Sequence, residues 1–151
     1  MSNLNNWPTK HIRITISGDE QNGFTFIYAD HQGDCECVIA DGPCYLEYTI
    51  ERNETQQQYG FAFDGIAFSN PFNNVITDAT IANGGRTITL TNPYDVSKET
   101  SDNYSVDFQF GFSFKNAPGG SKAKNLLLLS ADPQVINQRD PTSPAPEYNN
   151  A

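Results

Sequence analysis

The sequence predicts an all-β fold, an antiparallel β-sandwich of immunoglobulin-like type with about eight or nine strands. Three observations lead there. Apolar residues recur with period two, turn dipeptides punctuate the chain at short intervals, and no segment keeps a 3.6-residue period beyond about two turns. A length of 151 residues suits one domain. We assign it to residues 1–138. The remainder, RDPTSPAPEYNNA, carries three prolines and almost nothing apolar, so residues 139–151 are expected to be a disordered tail.

The elements follow in order. Ile12, Ile14 and Ile16 alternate with Arg13, Thr15 and Ser17, as a half-buried strand requires. Asn22-Gly23 is hairpin turn chemistry before an aromatic, β-branched strand from Phe24 to Ala29. A short strand runs through Cys35, Cys37 and Ile39, and Asp41-Gly42-Pro43 turns the chain into Tyr45–Ile50, with Leu46, Tyr48 and Ile50 on one face. Arg52–Gln58 has no apolar repeat and reads as a loop. Tyr59, Phe61 and Phe63 open the next strand, which Gly65 is expected to kink. Val75–Ile81 is a modest strand candidate. Asn83-Gly84-Gly85 is a turn, and Thr87–Thr91 is a strand. The longest signal is Tyr104, Val106, Phe108, Phe110, Phe112 and Phe114 alternating with polar or small residues. Asn125–Ala131, with four leucines, reads as a second long strand buried on both faces.

Composition removes several function classes. Nine Lys+Arg against eighteen Asp+Glu leave a net charge of −9, which repels nucleic acid and anionic membranes. The longest apolar run, Leu126 to Leu129, is far short of the roughly 18 residues a membrane span needs. The amino terminus, MSNLNNWPTKH, has neither a basic start nor an apolar stretch, so the expected location is cytoplasmic. In that compartment the acceptor patterns Asn53-Glu54-Thr55 and Asn103-Tyr104-Ser105 carry no glycan. Cys35, Cys37 and Cys44 are odd in number and form no C-x-x-C pair. They are read as reduced thiols, because a zinc site would need a fourth ligand and His31 is the only nearby histidine. The acids between Asp19 and Glu54 are read as a solvated surface. No cofactor, metal or partner is implied, and the oligomeric state is not encoded in any pattern here.

Catalytic motifs of the common kinds are missing: no G-x-S-x-G, no H-E-x-x-H, no phosphate loop, and only two histidines, His11 and His31. What remains is Asp132-Pro133, followed by Gln134-Val135-Ile136-Asn137. An Asp-Pro bond is intrinsically labile. The Asp side chain can attack its own carbonyl carbon, and the tertiary Pro nitrogen leaves well once protonated. A fold that holds a near-attack geometry would speed this. At the same time, Asp-Pro is common at strand ends simply because Pro stops the ladder.

The alternating aromatic strand ending in Phe114-Lys115, the loop after it, and the closing D-P-x-(I/V)-x-N pattern at Asp132–Asn137 resemble the small bacterial DP-EP family. The likeness is clearest over residues 59–138 and extends to Phe61, Phe63, Gly65 and Ile66. The resemblance implies a β-sandwich that cuts its own Asp-Pro bond in the manner of an aspartic peptidase, with a lysine joined to the severed Asp. It makes Asp132 the cleaved residue, Pro133 the new amino terminus and Lys115 the acceptor, with Lys122 and Lys124 as competitors. Lys115 has the parity of Asp107 and Gln109, opposite the phenylalanines, so it reaches Asp132 only if the strand twists, bulges or ends there. For the acid that activates water we take Asp64, whose aromatic neighbours would bury it and raise its pKa. Glu47 and Asp78 are the alternates. Asp107 is too far from Lys115 along the strand to be its direct partner. The second Asp-Pro, Asp140-Pro141, falls in the tail and is expected to stay whole. The competing reading is a non-catalytic immunoglobulin-like binding or structural module, with Trp7, Tyr45 or Tyr94 serving a partner or glycan.

Overall fold

The computed structural model describes residues 6–94, 103–131 and 133–138. Within them the chain forms β1 (Thr9–Asp19), β2 (Gly23–Asp30), β3 (Gly33–Asp34), β4 (Cys37–Ala40), β5 (Cys44–Ile50), α1 (Glu54–Tyr59), β6 (Phe61–Phe68), β7 (Asp78–Ala82), a 3-10 turn at Asn83–Gly85, β8 (Thr87–Asn92), β9 (Asn103–Phe114), β10 (Leu128–Leu129) and β11 (Gln134–Gln138). One sheet has the order β3-β2-β1-β5-β8-β7. The other runs β10-β9-β11-β4, with β6 on the far edge of β9. The predicted β-sandwich is what forms. The assigned tail, residues 139–151, lies outside the described residues.

The core is the set of inward positions that period two marks out. Ile12, Ile14 and Ile16 of β1, Leu46, Tyr48 and Ile50 of β5, and Ile88 and Leu90 of β8 face Phe108, Phe110 and Phe112 of β9. The aromatic rings interlock across the two sheets. Tyr48 meets Phe108 and Phe110 edge-on at 6.1 and 5.0 Å between ring centres, the arrangement in which ring edges meet ring faces.

Four expectations need correction. The sandwich is not wholly antiparallel, since β1–β5 and β11–β4 are parallel pairs. A parallel pair needs a crossover, and the chain makes it by visiting the opposite sheet as β4 before returning as β5. Second, Arg52–Gln58 is not all loop. Asn53 caps α1 by accepting from the Gln56 amide at 2.7 Å, and Gly60 ends it in the left-handed region with φ 66. Caps, not an apolar stripe, make this six-residue helix. Third, the strand candidate at Val75–Ile81 starts later, at Asp78; Val75 and Ile76 are buried in the preceding loop. Fourth, the Asn125–Ala131 strand shrinks to two residues, and Leu126, Leu127 and Leu129 are 63, 48 and 60% exposed. A leucine run has no period to assign a face, and Leu127 lies over Gly111, between the buried positions Phe110 and Phe112 and of opposite parity to them.

The difference between these two strands is measurable. Phe110→Ala is expected to cost about 3–5 kcal/mol of unfolding free energy, as an emptied core site does. Leu129→Ala should stay within about 0.5 kcal/mol. Urea unfolding of the two variants gives both numbers, and equal losses would contradict this packing.

Candidate functional site around the last strand

The segment from Leu128 to Gln138 runs antiparallel along one edge of β9, but not in a single register. Leu128 faces Phe112 and Leu129 faces Gly111, while Gln134 faces Asp107. From Leu129 to Gln134 the chain takes five steps, and from Gly111 to Asp107 only four. One extra residue is therefore accommodated between β10 and β11. The hydrogen bonds narrow its place: the Ser130 amide donates to the Phe110 carbonyl at 2.9 Å, and the Phe108 amide donates to the Pro133 carbonyl at 3.2 Å. The register shift thus lies between Ser130 and Pro133. Such bulges bend a strand and interrupt its ladder, and they gather beside active sites. Asp132 itself lies outside the described residues.

Both flanks of this break are held. Upstream, the buried Tyr28 hydroxyl, reaching over from β2 in the opposite sheet, donates to the Ala131 carbonyl at 2.8 Å. The Ser130 hydroxyl donates to the same carbonyl at 2.9 Å and accepts the Phe110 amide at 2.8 Å. Gln109 Nε2 donates to the Ser130 carbonyl at 3.0 Å. Downstream, Pro133 is buried, Val135 is fully buried, and Asn137 is 1% exposed. Asn137 and Asn92, the last residue of β8, exchange two amide hydrogen bonds of 2.6 and 3.1 Å. Asn92 Oδ1 also accepts the Tyr94 amide at 2.9 Å. So the closing Asn of the sequence pattern has a buried role that crosses the sandwich. Its partner Asn92 opens a polar connection in the sequence, and nothing there marked it. The other unmarked residue is Tyr28, one ring among eighteen.

Lys115 is not brought to this place. Its amide donates to the Tyr59 and Gly60 carbonyls at 3.1 and 3.3 Å, at the corner where α1 meets β6. It stands seven positions beyond Phe108, the residue bonded to Pro133. At ~3.3 Å per residue that is roughly 23 Å along the strand. Lys122 and Lys124 are exposed in the loop before β10. Asp64 is exposed at a bulge in β6, between the positions that face Phe112 and Gly111. The expected burial is not there, because alternation after the buried Phe61 and Phe63 puts its side chain on the outer face. Glu47 is bonded to His11 Nδ1 at 2.8 Å, and Asp78 is exposed at the start of β7. By register, the carboxylate beside the break is Asp107, which pairs with Gln134.

A crevice of about 560 Å³ lies along the other side of β4, lined in part by Lys10, Asp30, His31, Cys35 and Cys37. Cys35 and Cys37 do not share a strand as expected, since β4 begins only at Cys37. Burial, then the nearby Asp30 carboxylate, push the Cys35 thiol up to about 11. Burial raises Cys44 as well, and burial followed by Asp107 raises Cys37. Among the described residues, no group of three or more His, Cys, Asp or Glu side chains could hold a metal ion. No helix among them is long and apolar enough to cross a membrane. Trp7 and Tyr45, named for the binding-module reading, lie together with ring centres 5.4 Å apart, while Tyr94 is half-buried.

Fold and site together define a two-sheet β-sandwich whose last strand is interrupted immediately before a buried proline. The family model described as the DP-EP family matches residues 10–139, and the chain belongs to that family. No curated protein matches the sequence. Among solved structures, the inclusion body protein PixA from Burkholderia cenocepacia is similar at 8% identity and a TM-score of 0.39, over 92% of this chain and 98% of that one.

Two measurements check this account. Asn92→Ala takes away both amide hydrogen bonds of the buried Asn137 and should cost about 1–3 kcal/mol, whereas replacing both with leucine should recover most of it. With its thiol raised to about 11, roughly a thousandth of Cys35 is ionised at pH 8. Iodoacetamide labelling at Cys35, read by peptide mass, should therefore be slow at pH 8 and rise about tenfold per pH unit until pH 11. Fast labelling at pH 7 would contradict the burial.

Proposed function

We propose that the domain cuts its own backbone between Asp132 and Pro133. The observation that carries this reading is the coincidence of three features at one place: the family's Asp-Pro, the one-residue register shift, and the pinning of both flanks by Tyr28 and Asn92 from the opposite sheet. In solution an Asp-Pro unit spends little time in the geometry for attack. Fixing Ala131 on one side and Pro133 on the other removes much of that conformational freedom.

The chemistry balances as follows. A carboxyl oxygen of Asp132 attacks the carbonyl carbon of the same residue, closing a five-membered cyclic anhydride. The C–N bond to Pro133 breaks, and the Pro nitrogen takes up a proton to leave as a secondary amine. Water then opens the anhydride and leaves Asp132 as a carboxyl terminus, so one water is consumed. Tyr28 acts here as a positioning residue: it bonds the Ala131 carbonyl and leaves the proton transfers to groups nearer the breaking bond. Asp107 is the carboxylate placed by register to assist water. Capture of the opened Asp132 by Lys115 requires the lysine to leave its corner at Tyr59 and Gly60. We therefore favour hydrolysis over isopeptide formation. Asp140-Pro141 has no such frame in this reading and stays whole.

Intact-mass analysis of purified protein, followed over weeks at mildly acidic pH, tests this. The expected products are residues 1–132 and 133–151. Asp132→Ala should abolish them. Tyr28→Phe should slow their appearance at least several-fold while the chain still unfolds cooperatively in urea. A first fragment lighter by one water would show lysine capture instead. A wild-type chain that stays whole would overturn the proposal and leave the binding-module reading.

A further inference from the structure

We infer that the channel between β9 and β4 is a peptide-binding site, and that after the cut it exchanges its own strand for the carboxy-terminal segment of a second copy. The inference rests on the cleavage reading, and it adds a ligand to it.

β11 is not an edge strand. It pairs antiparallel with β9 at five positions, from Gln134↔Asp107 to Gln138↔Asn103, and parallel with β4 at four, from Gln134↔Cys37 to Asn137↔Ala40. Before the cut it is held by the chain as well as by these ladders. After the cut, residues 133–151 form a separate peptide, and only non-covalent contacts keep it in place. The channel then has the form of a strand-accepting groove, where main-chain hydrogen bonds give affinity and alternate side chains give selectivity.

The selectivity can be read from burial. Pro133, Val135 and Asn137 point into the sandwich and are buried, whereas Ile136 between them is half-exposed beside Ile39 on the outer face. Asn137 is the most discriminating of the three, because a side chain there must both accept from Asn92 Nδ2 and donate to Asn92 Oδ1. A hydrocarbon there would strand the Asn92 amide, and a carboxylate would bury a charge. The ligand is thus an extended peptide with Pro, Val and Asn at alternate positions. Residues 133–137 of this chain have that pattern, so a second copy supplies the ligand without further fitting.

The test uses the full chain and a fluorescein-labelled synthetic peptide of residues 133–151. Intact mass is recorded first on each batch, which reads cleavage separately from exchange. In a cut batch, the peptide should co-elute with the domain on size exclusion, and native mass should show labelled peptide in place of unlabelled. The Asn137→Ala peptide should bind at least tenfold more weakly, the Val135→Asp peptide should not enter, and uncut Asp132→Ala protein should take up none. A cut batch with no uptake over days would overturn the inference and leave the cleavage reading standing. Equal uptake of the Val135→Asp peptide would do the same. A wild-type batch that never cuts would overturn both, and the intact mass identifies that case.

Discussion

The architecture of the last strand depends on two polar ties across the sandwich. One sheet reaches the other through Tyr28 to the Ala131 carbonyl, and again through Asn92 to Asn137. Everything between those ties, the register shift and Pro133 included, is confined at both ends. The Asn92–Asn137 tie is buried and the Tyr28–Ala131 tie is part-buried, so the downstream end is the more firmly held. A buried amide pair gains modestly over its hydration, but losing one partner exposes the other to the full penalty of an unsatisfied polar group. Sliding the last strand by one residue would incur that penalty at Asn137. It would also carry Val135 out of the core and Ile136 into it. The apolar alternation and the polar ties select the same register, and the mismatch is left to collect between Ser130 and Pro133.

The same logic explains why β10 and β11 are separate short strands. β9 presents a continuous edge, and a perfect partner would pair along all of it. Pro133 has no amide proton for a ladder, and Gly111 gives Leu127 room to lie over the sheet, where a side chain at that position would crowd it. The partner strand therefore grips β9 at two places and departs from it between them. The departure coincides with the Asp-Pro of the sequence pattern.

Much of this was legible in the sequence. The alternation in Ile12–Ile16, Tyr45–Ile50 and Tyr104–Phe114 marks the walls of the core, and the structure buries Ile12, Ile14, Ile16, Leu46, Tyr48, Ile50, Val106, Phe108, Phe110 and Phe112. The D-P-x-(I/V)-x-N pattern pointed to the right segment. The rest depends on register, which one strand read alone does not contain. Lys115 and Asp132 are neighbours in the pattern's order, yet antiparallel pairing sets Pro133 beside Phe108, near the middle of β9, and leaves Lys115 just past the end of that strand. Asp64 lay near aromatics in the sequence, but it has the parity opposite to the buried Phe61 and Phe63 and is exposed. Asn92 looked like the first residue of a polar connection and is instead fully buried, because its neighbour across the sandwich is another amide. Leucines 126, 127 and 129 show the reverse error, an apolar run taken for burial although it carries no period that assigns a face.

Confinement of the downstream flank has a chemical consequence for the proposed cut. A held leaving group stays close to the anhydride it has just left, and an unprotonated Pro133 nitrogen would reattack and restore the bond. Net cleavage then depends on how quickly the new amine is protonated or moves away. At acidic pH the secondary amine is trapped as a cation that cannot return, whereas the neutral amine at alkaline pH can rejoin in competition with water. The register shift supplies the movement. Once the backbone is open, the paired segments on either side of the shift are no longer tied to each other, so the ends separate without disturbing Val135 or Asn137. The ties that hold the intact bond for attack are thus compatible with release of its products, because they lie on either side of the break and do not span it.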